Sequence, residues 1–379
     1  MRKSISSVML ALCVAFTFYN CQYEHDFVGN WKGPSQMNSN GRGGASCFVI
    51  DDKAYFVAGR TYIKSEAYLL DTWQFDPETN SWKQFASVPA EKGRYYGVGF
   101  SATAADGKTK GYYGTGLGKS GECFRDFYEF DPEGESTVPV ISTQGDTTYK
   151  KLPGTWSATD SLPGEPIYGM VGFTINGVGY IGAGQTKNLG YANTYYRYDP
   201  NAADGEKWKV VEYINPAKRC YGSVFVIDNR AYIVGGISNG NYVRDLERFD
   251  PSFEKGEYRW YKITQDFVPD YRNSDYAKVY REQAAAFSIN GRGYLCCGKY
   301  GSAKSDVWEY IPFAGRDNMG IWSEVCSFEG SQRYACQGFA TSKGVGYVGT
   351  GMVGTGQNQF YDDVWEFHPQ EDYDKRQQY

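Results

Sequence analysis

Six times in this chain of 379 residues a phenylalanine stands six positions after a marked residue. The marked residues are Arg42, Arg94, Ile167, Arg219, Arg281 and Arg333, and the phenylalanines are Phe48, Phe100, Phe173, Phe225, Phe287 and Phe339. Seven to twelve residues further on come Tyr55, Tyr112, Tyr180, Tyr232, Tyr294 and Tyr347. Small residues follow each tyrosine, among them Gly114, Gly182, Gly235-Gly236, Gly298 and Gly349. Each half of the pattern reads as a strand, with a turn between the halves. A unit repeated at this spacing is one sheet of a larger array, because only stacking on its neighbours completes its core.

A third strand follows in every unit: Asp71-x-Trp73-x-Phe75, Asp126-x-Tyr128-x-Phe130, Thr194-x-Tyr196-x-Tyr198, Asp245-x-Glu247-x-Phe249, Asp306-x-Trp308-x-Tyr310 and Asp363-x-Trp365-x-Phe367. Side chains two apart on a strand share a face, so aromatics at period two mark a half-buried strand. Four of these strands end in Asp-Pro, beginning at Asp76, Asp131, Asp199 and Asp250, where proline lacks the amide needed to continue a ladder. The fourth strand carries a tryptophan, at Trp82, Trp156, Trp208, Trp260 and Trp322. The sixth unit has none after Phe367, while Trp31 stands eleven residues before Arg42 with no strands of its own ahead of it. The N-terminal segment around Trp31 is therefore expected to complete the last sheet and close a ring.

A four-stranded unit of about fifty residues is a propeller blade. These residues resemble the kelch repeat from Trp31 to Pro369, which implies an all-β, six-bladed propeller of four-stranded blades. The third unit departs from the pattern at Ile167 and Thr194. An aromatic content of 17% suits sheets packed face to face through large side chains. Helix signals are nearly absent, with an irregular stretch from Ser274 to Ala286 as the one invitation. The expected organisation is a leader at 1–20, a tether at 21–29, the propeller at 30–369 and a polar tail at 370–379.

Arg2 and Lys3 precede an apolar run from Val8 to Phe18, too short to span a bilayer and typical of a secretory leader. Cys21 follows, so the segment resembles a bacterial lipoprotein signal, although Tyr19 and Asn20 replace the usual small residues. The resemblance implies lipidation of Cys21, membrane attachment by that anchor alone, and residence in the cell envelope of a Gram-negative bacterium as an outer-membrane lipoprotein. Gln22, Glu24 and Asp26 resemble the surface-export tether of some such proteins. With Cys13 removed and Cys21 lipidated, the nine cysteines leave seven, an odd number with no regular framework. Cys296 and Cys297 are expected in the core and not as a redox pair.

Only two histidines exist, His25 and His368, both outside the repeats. This speaks against a zinc site, and against the copper radical oxidases of the galactose oxidase type, whose metal needs two histidine ligands. No metal or other cofactor is expected. The net charge of −5 argues against nucleic acid as a partner.

Propeller geometry places the opening positions at one mouth of the central channel. Arg42, Arg94, Arg219, Arg281 and Arg333 would ring it, with Tyr95, Tyr96, Tyr168, Tyr221, Glu282 and Tyr334 beside them. Loops on the same face supply Tyr62, Lys64, Lys119, Lys187, Tyr191, Asn241, Tyr242, Lys299, Tyr300 and Lys304. The long connection from Trp260 to Arg281, holding Tyr271, Arg272, Asn273, Tyr276 and Tyr280, is expected to overhang the mouth. Guanidiniums bind carboxylate and phosphate, and tyrosines stack on sugars, so an acidic glycan or acidic peptide is the expected partner of a non-catalytic binding protein. Two other readings stand beside it. The chain also resembles periplasmic kelch propellers that epimerise N-acetylneuraminate, which implies an acid/base pair, with Glu282 and Glu165 the nearest carboxylates. It is otherwise a structural scaffold. The arginines have two readings as well: five ligand contacts, or five structural partners of the third-strand aspartates, since the unit without Arg also lacks Asp.

Overall fold

A computed structural model of the chain describes residues 28–63, 65–141, 147–188, 190–211, 216–253, 259–264, 278–315, 318–354 and 359–372. The leader, Cys21, the tether up to residue 27, Lys64, Tyr271, Arg272, Asn273, Tyr276 and the tail from 373 lie outside the described residues, as does the irregular stretch up to residue 277.

The described chain forms an all-β propeller of six four-stranded antiparallel blades. The inner strands are Ser46–Ile50, Val98–Thr103, Val171–Ile175, Ser223–Ile227, Ala285–Ile289 and Gln337–Ala340. Each of the first five blades runs outward in chain order, ending on the tryptophan strand. In the sixth, the outer strand is Val28–Gln36, paired antiparallel with Asp363–Asp372 so that Trp31 lies opposite Phe367. The ring is thus closed by the chain's own N-terminal strand, as the isolated Trp31 implied.

Aromatic packing explains why the spacing is strict. In every blade the inner-strand phenylalanine stacks nearly parallel on the second-strand tyrosine, from Phe48 on Tyr55 at 5.5 Å and 15° to Phe339 on Tyr347 at 4.8 Å and 10°. The last aromatic of each third strand meets the outer tryptophan: Phe130 and Trp156 at 4.8 Å, Phe249 and Trp260 at 5.0 Å, and Phe367 and Trp31 at 4.8 Å. Offset and tilted ring pairs at such distances contribute beyond their buried area. The residue before each tyrosine must be small, because the neighbouring blade's phenylalanine lies there. A Cβ added at Gly179 would come within 2.2 Å of Phe100.

Blade joins to blade at two levels of main chain. Four residues after each tyrosine stands a glycine whose amide donates to the opening residue of the next blade: Gly59 to Arg94, Gly116 to Ile167, Gly184 to Arg219, Gly236 to Arg281, Gly298 to Arg333 and Gly351 to Arg42. The last of these closes the circle. These glycines all have positive φ, from 87° to 107°, a region closed to most L-residues.

Candidate functional site

The five arginines lie beneath the mouth and not on it. Each is at most 1% exposed. Arg42 donates from Nη1 to Asp71 Oδ1 at 2.7 Å and from Nη2 to Oδ2 at 2.9 Å, and Nη1 also reaches the Ala58 carbonyl. Arg94 grips Asp126 in the same bidentate way, Arg281 grips Asp306, and Arg333 grips Asp363, each also donating to the carbonyl just before the strict glycine. Arg219 divides its charge between Asp245 and Glu247 at 2.7 and 2.8 Å. Fork-to-fork pairs of this kind fix geometry as well as charge. In the third blade Ile167 is buried where the others have Arg, so the joint loss of Arg and Asp there replaces an ion pair with an apolar contact. The reading that put Arg42, Arg94, Arg219, Arg281 and Arg333 at the ligand is corrected accordingly: they are buried, and their Nη1 and Nη2 groups are committed to the frame.

What occupies the mouth follows from the residue two past each opening position. Gly44, Tyr96, Gly169, Tyr221, Gln283 and Ala335 all have φ between 53° and 65°. Their main chains form a closed circle of six hydrogen bonds of 2.8 to 2.9 Å, each amide donating to the carbonyl one blade back, from Tyr96 to Gly44 round to Gly44 to Ala335. A left-handed conformation costs an L-residue roughly 1–2 kcal/mol, and glycine serves it without strain. Tyrosine and glutamine at Tyr96, Tyr221 and Gln283 are therefore held there against local preference, as happens where side chains are wanted at a site.

Those three side chains cover the axis. The Tyr96 hydroxyl donates to Gln283 Oε1 at 2.7 Å, and Tyr96 packs on Tyr221 with centroids 4.6 Å apart. A cavity of about 180 Å³ lies along the channel, bordered by the three side chains and by one small residue from each inner strand: Ser46, Gly99, Gly172, Ser223, Ala286 and Gly338.

Around this cover the tyrosines run in one contiguous series. Tyr68 meets Tyr95 at 5.5 Å, Tyr95 meets Tyr96 at 4.4 Å, and Tyr221 meets Tyr168 at 6.1 Å. The Arg60 guanidinium lies 4.8 Å over Tyr95 while pairing with Glu66 at 2.9 Å. Across the mouth, Glu282 is buried, accepts from the Gln283 amide at 3.0 Å and has the Lys299 ammonium 3.9 Å away. Lys299 also sits 5.4 Å over the ring of Tyr334, whose hydroxyl donates to the Gly354 carbonyl. Burial pushes the Glu282 carboxyl above the usual carboxylate range, against the pull of Gln283 and Lys299. It also raises the hydroxyls of Tyr68 and Tyr168 to about 12 and that of Tyr95 above its ordinary value, so these groups are neutral donors at physiological pH.

Tyr95, Tyr168, Tyr221, Glu282 and Tyr334 lie around this cover, with Tyr191 bridging to Gln185 beside Tyr168. Tyr242 and Tyr300 form a separate rim pair at 4.6 Å, joined by Tyr280 at 5.9 Å from Tyr300. Tyr62, Lys119, Lys187 and Asn241 are exposed, Lys304 is half-buried, and Glu165 is exposed. Sequence reasoning missed Arg60, Tyr68, Gln185 and Gln283. Among these, Gln283 was within reach, since it occupies the same repeat position as Tyr96 and Tyr221.

A family model for the kelch motif matches residues 218–264, which is the fourth blade. The chain folds as a six-bladed β-propeller whose fourth blade is a kelch motif. A solved structure titled "Structure of YjhT" is similar to this propeller over 86% of this chain and 95% of its own, with a TM-score of 0.61 and 13% sequence identity, a likeness of fold. No curated protein matches the propeller's sequence. Among the described residues of the propeller, no group of three histidine, cysteine, aspartate or glutamate side chains is arranged to hold a metal ion.

Proposed function

We propose that this propeller is a non-catalytic binding protein of the cell envelope and that it takes a glycan on the tyrosine-floored mouth. The observation that carries the reading is the contiguous series Tyr68, Tyr95, Tyr96, Tyr221 and Tyr168, drawn from four blades and ending against an axis covered by side chains in strained backbone. Flat tyrosine faces with neutral hydroxyls suit sugar rings, and Gln185, Glu282 and Lys299 offer polar contacts beside them. The five committed arginines no longer argue for an anion. Arg60 and Lys299 each face a carboxylate, so the mouth selects for hydroxylated rings first and tolerates an acidic substituent second. An acidic peptide loses its main support by the same argument. Export to the envelope rests on the leader and Cys21.

The test is a thermal-shift screen of the mature protein against neutral, uronic, sialic and sulfated glycans. A ligand at 100 times its dissociation constant stabilises the fold by about 2.7 kcal/mol. A shift from one glycan class that Tyr95→Ala removes supports the proposal, and no shift from any class contradicts it.

One observation favours a second reading, a sugar epimerase: Glu282 is a buried carboxyl with a raised pKa at the mouth, a setting common to general acid/base groups. Glu165, the other carboxylate considered for that role, is exposed on the surface. Interconversion of the two anomers of N-acetylneuraminate, followed by NMR of its C3 protons, separates the two readings: catalysed interconversion that Glu282→Gln abolishes would replace the binding proposal.

A further inference from the structure

The position just before the last aromatic of each third strand lies opposite an outer-strand residue, and five blades fill the pair compatibly. Gln74 lies opposite Lys83, Glu129 opposite Ser157, Arg248 opposite Tyr261, Glu309 opposite Ser323 and Glu366 opposite Lys32. Arg248 is moreover stacked 5.2 Å over the ring of Tyr261. The third blade breaks the rule. Arg197 lies directly opposite Lys209, and both side chains are exposed. Like charges directly opposite on antiparallel strands destabilise a sheet.

A third cation completes the set. Arg259, from the outer edge of the fourth blade, lines the same groove of about 370 Å³ as Arg197 and Lys209, together with Tyr180, Phe249 and Pro251. No aspartate or glutamate among the described residues lines this groove. Asp250, next to Pro251, is engaged by Arg230 at 2.6 Å and by Ser252. In other blades the corresponding tyrosine hydroxyl meets a side chain that balances local charge, as Tyr112 and Lys110 both meet Glu129 and Tyr294 and Arg292 both meet Glu309. At Tyr180 the neighbours are the two guanidiniums, which draw its ionisation down against the burial that raises it. Three cations in one groove, on a chain whose net charge is −5, form a local field that asks for an anion.

We propose that the groove between the third and fourth blades, lined by Arg197, Lys209 and Arg259, is a binding site for a phosphate or sulfate group. A doubly charged tetrahedral oxyanion suits a groove lined by three cations, and guanidiniums offer it paired donors. The site is separate from the mouth: Arg197 is the third residue of the strand Tyr195–Tyr198, which runs away from the mouth.

The test uses the mature protein and the double variant Arg197→Gln/Lys209→Gln, both positions being exposed. Inorganic phosphate and sulfate should raise the melting temperature of the parent, while acetate at matched ionic strength should not. The double variant should lose the phosphate effect, with at least a tenfold weaker apparent affinity, and without phosphate it should melt no lower than the parent because the like-charge contact is gone. Glucose 6-phosphate and vesicles containing phosphatidic acid then tell a soluble ester from a lipid headgroup, and binding of either by the parent and not by the variant supports the site. Equal stabilisation of parent and variant, an equal effect of acetate, or no effect of phosphate on the parent overturns it.

Discussion

The Tyr96 hydroxyl and Gln283 Oε1 meet at 2.7 Å although they belong to the second and fifth blades, which face each other across a ring of six. This hydrogen bond therefore crosses the propeller axis. It covers the channel at the mouth and turns what would be an open funnel into a floor for the surrounding tyrosines. The circle of main-chain hydrogen bonds through the same two residues holds that floor in place.

Closure by the N-terminal strand has a measurable cost when undone. Trp31 is 1% exposed and packs on Phe328 and Phe367 with centroids 4.9 and 4.8 Å away. Trp31→Ala should destabilise the fold by about 3–5 kcal/mol, read as a lower urea midpoint, and amide exchange should rise first in the sixth blade. An unchanged midpoint would mean that the first strand is not fastening the ring.

Alkaline unfolding should be steep. Tyr55, Tyr68, Tyr128 and Tyr168 are held at about 12 by burial, whereas an unfolded tyrosine ionises near 10. The folded state keeps these protons where the unfolded state has released them, so the stability they contribute is complete below about pH 10 and is lost as pH rises towards 12. Absorbance at 295 nm should show most tyrosines ionising together with the loss of near-ultraviolet circular dichroism, and not before it.

The acid limb has the opposite sign. Burial alone would raise the Asp306 carboxyl, but the Arg281 guanidinium outweighs it and holds the group below its ordinary value. Its contribution is present above the unfolded value, about 3.9, and is lost as pH falls through the lower folded value. Asp306→Asn should lower stability at pH 7 and flatten the dependence below pH 4 in denaturant melts.

Attachment to the envelope is tested on the intact chain in cells. Incorporation of labelled fatty acid should depend on Cys21, and Cys21→Ser should yield a soluble protein in the envelope fractions. Labelling that survives the substitution would place the anchor elsewhere.

The ring was legible because its aromatic contacts admit no slippage: moving Phe100 one residue would turn it to the other face of its strand, away from Tyr112 and from the space over Gly179. Trp31 betrayed the closure because a fourth-strand tryptophan without its first three strands has only one partner left, at Phe367. The strict glycine four residues after each tyrosine was legible too, at Gly59, Gly116, Gly184, Gly236, Gly298 and Gly351, but the small residues nearer the tyrosine drew attention from it. The fate of the arginines showed only in one blade, where Ile167 and Thr194 depart together. The contact between Tyr96 and Gln283 could not be read from residues 187 apart in sequence, because only the curvature of the closed ring brings opposite blades together.

The division between frame and floor is tested most directly by two substitutions titrated with the same glycan. Arg333→Met removes a fully buried guanidinium and leaves the part-buried Asp363 without its partner, which should cost up to about 3–5 kcal/mol of stability with affinity unchanged. Tyr95→Ala should leave the melting temperature within a few degrees and weaken binding by about tenfold, which is 1.4 kcal/mol. Loss of affinity in Arg333→Met at full folding, with normal affinity in Tyr95→Ala, would contradict the account.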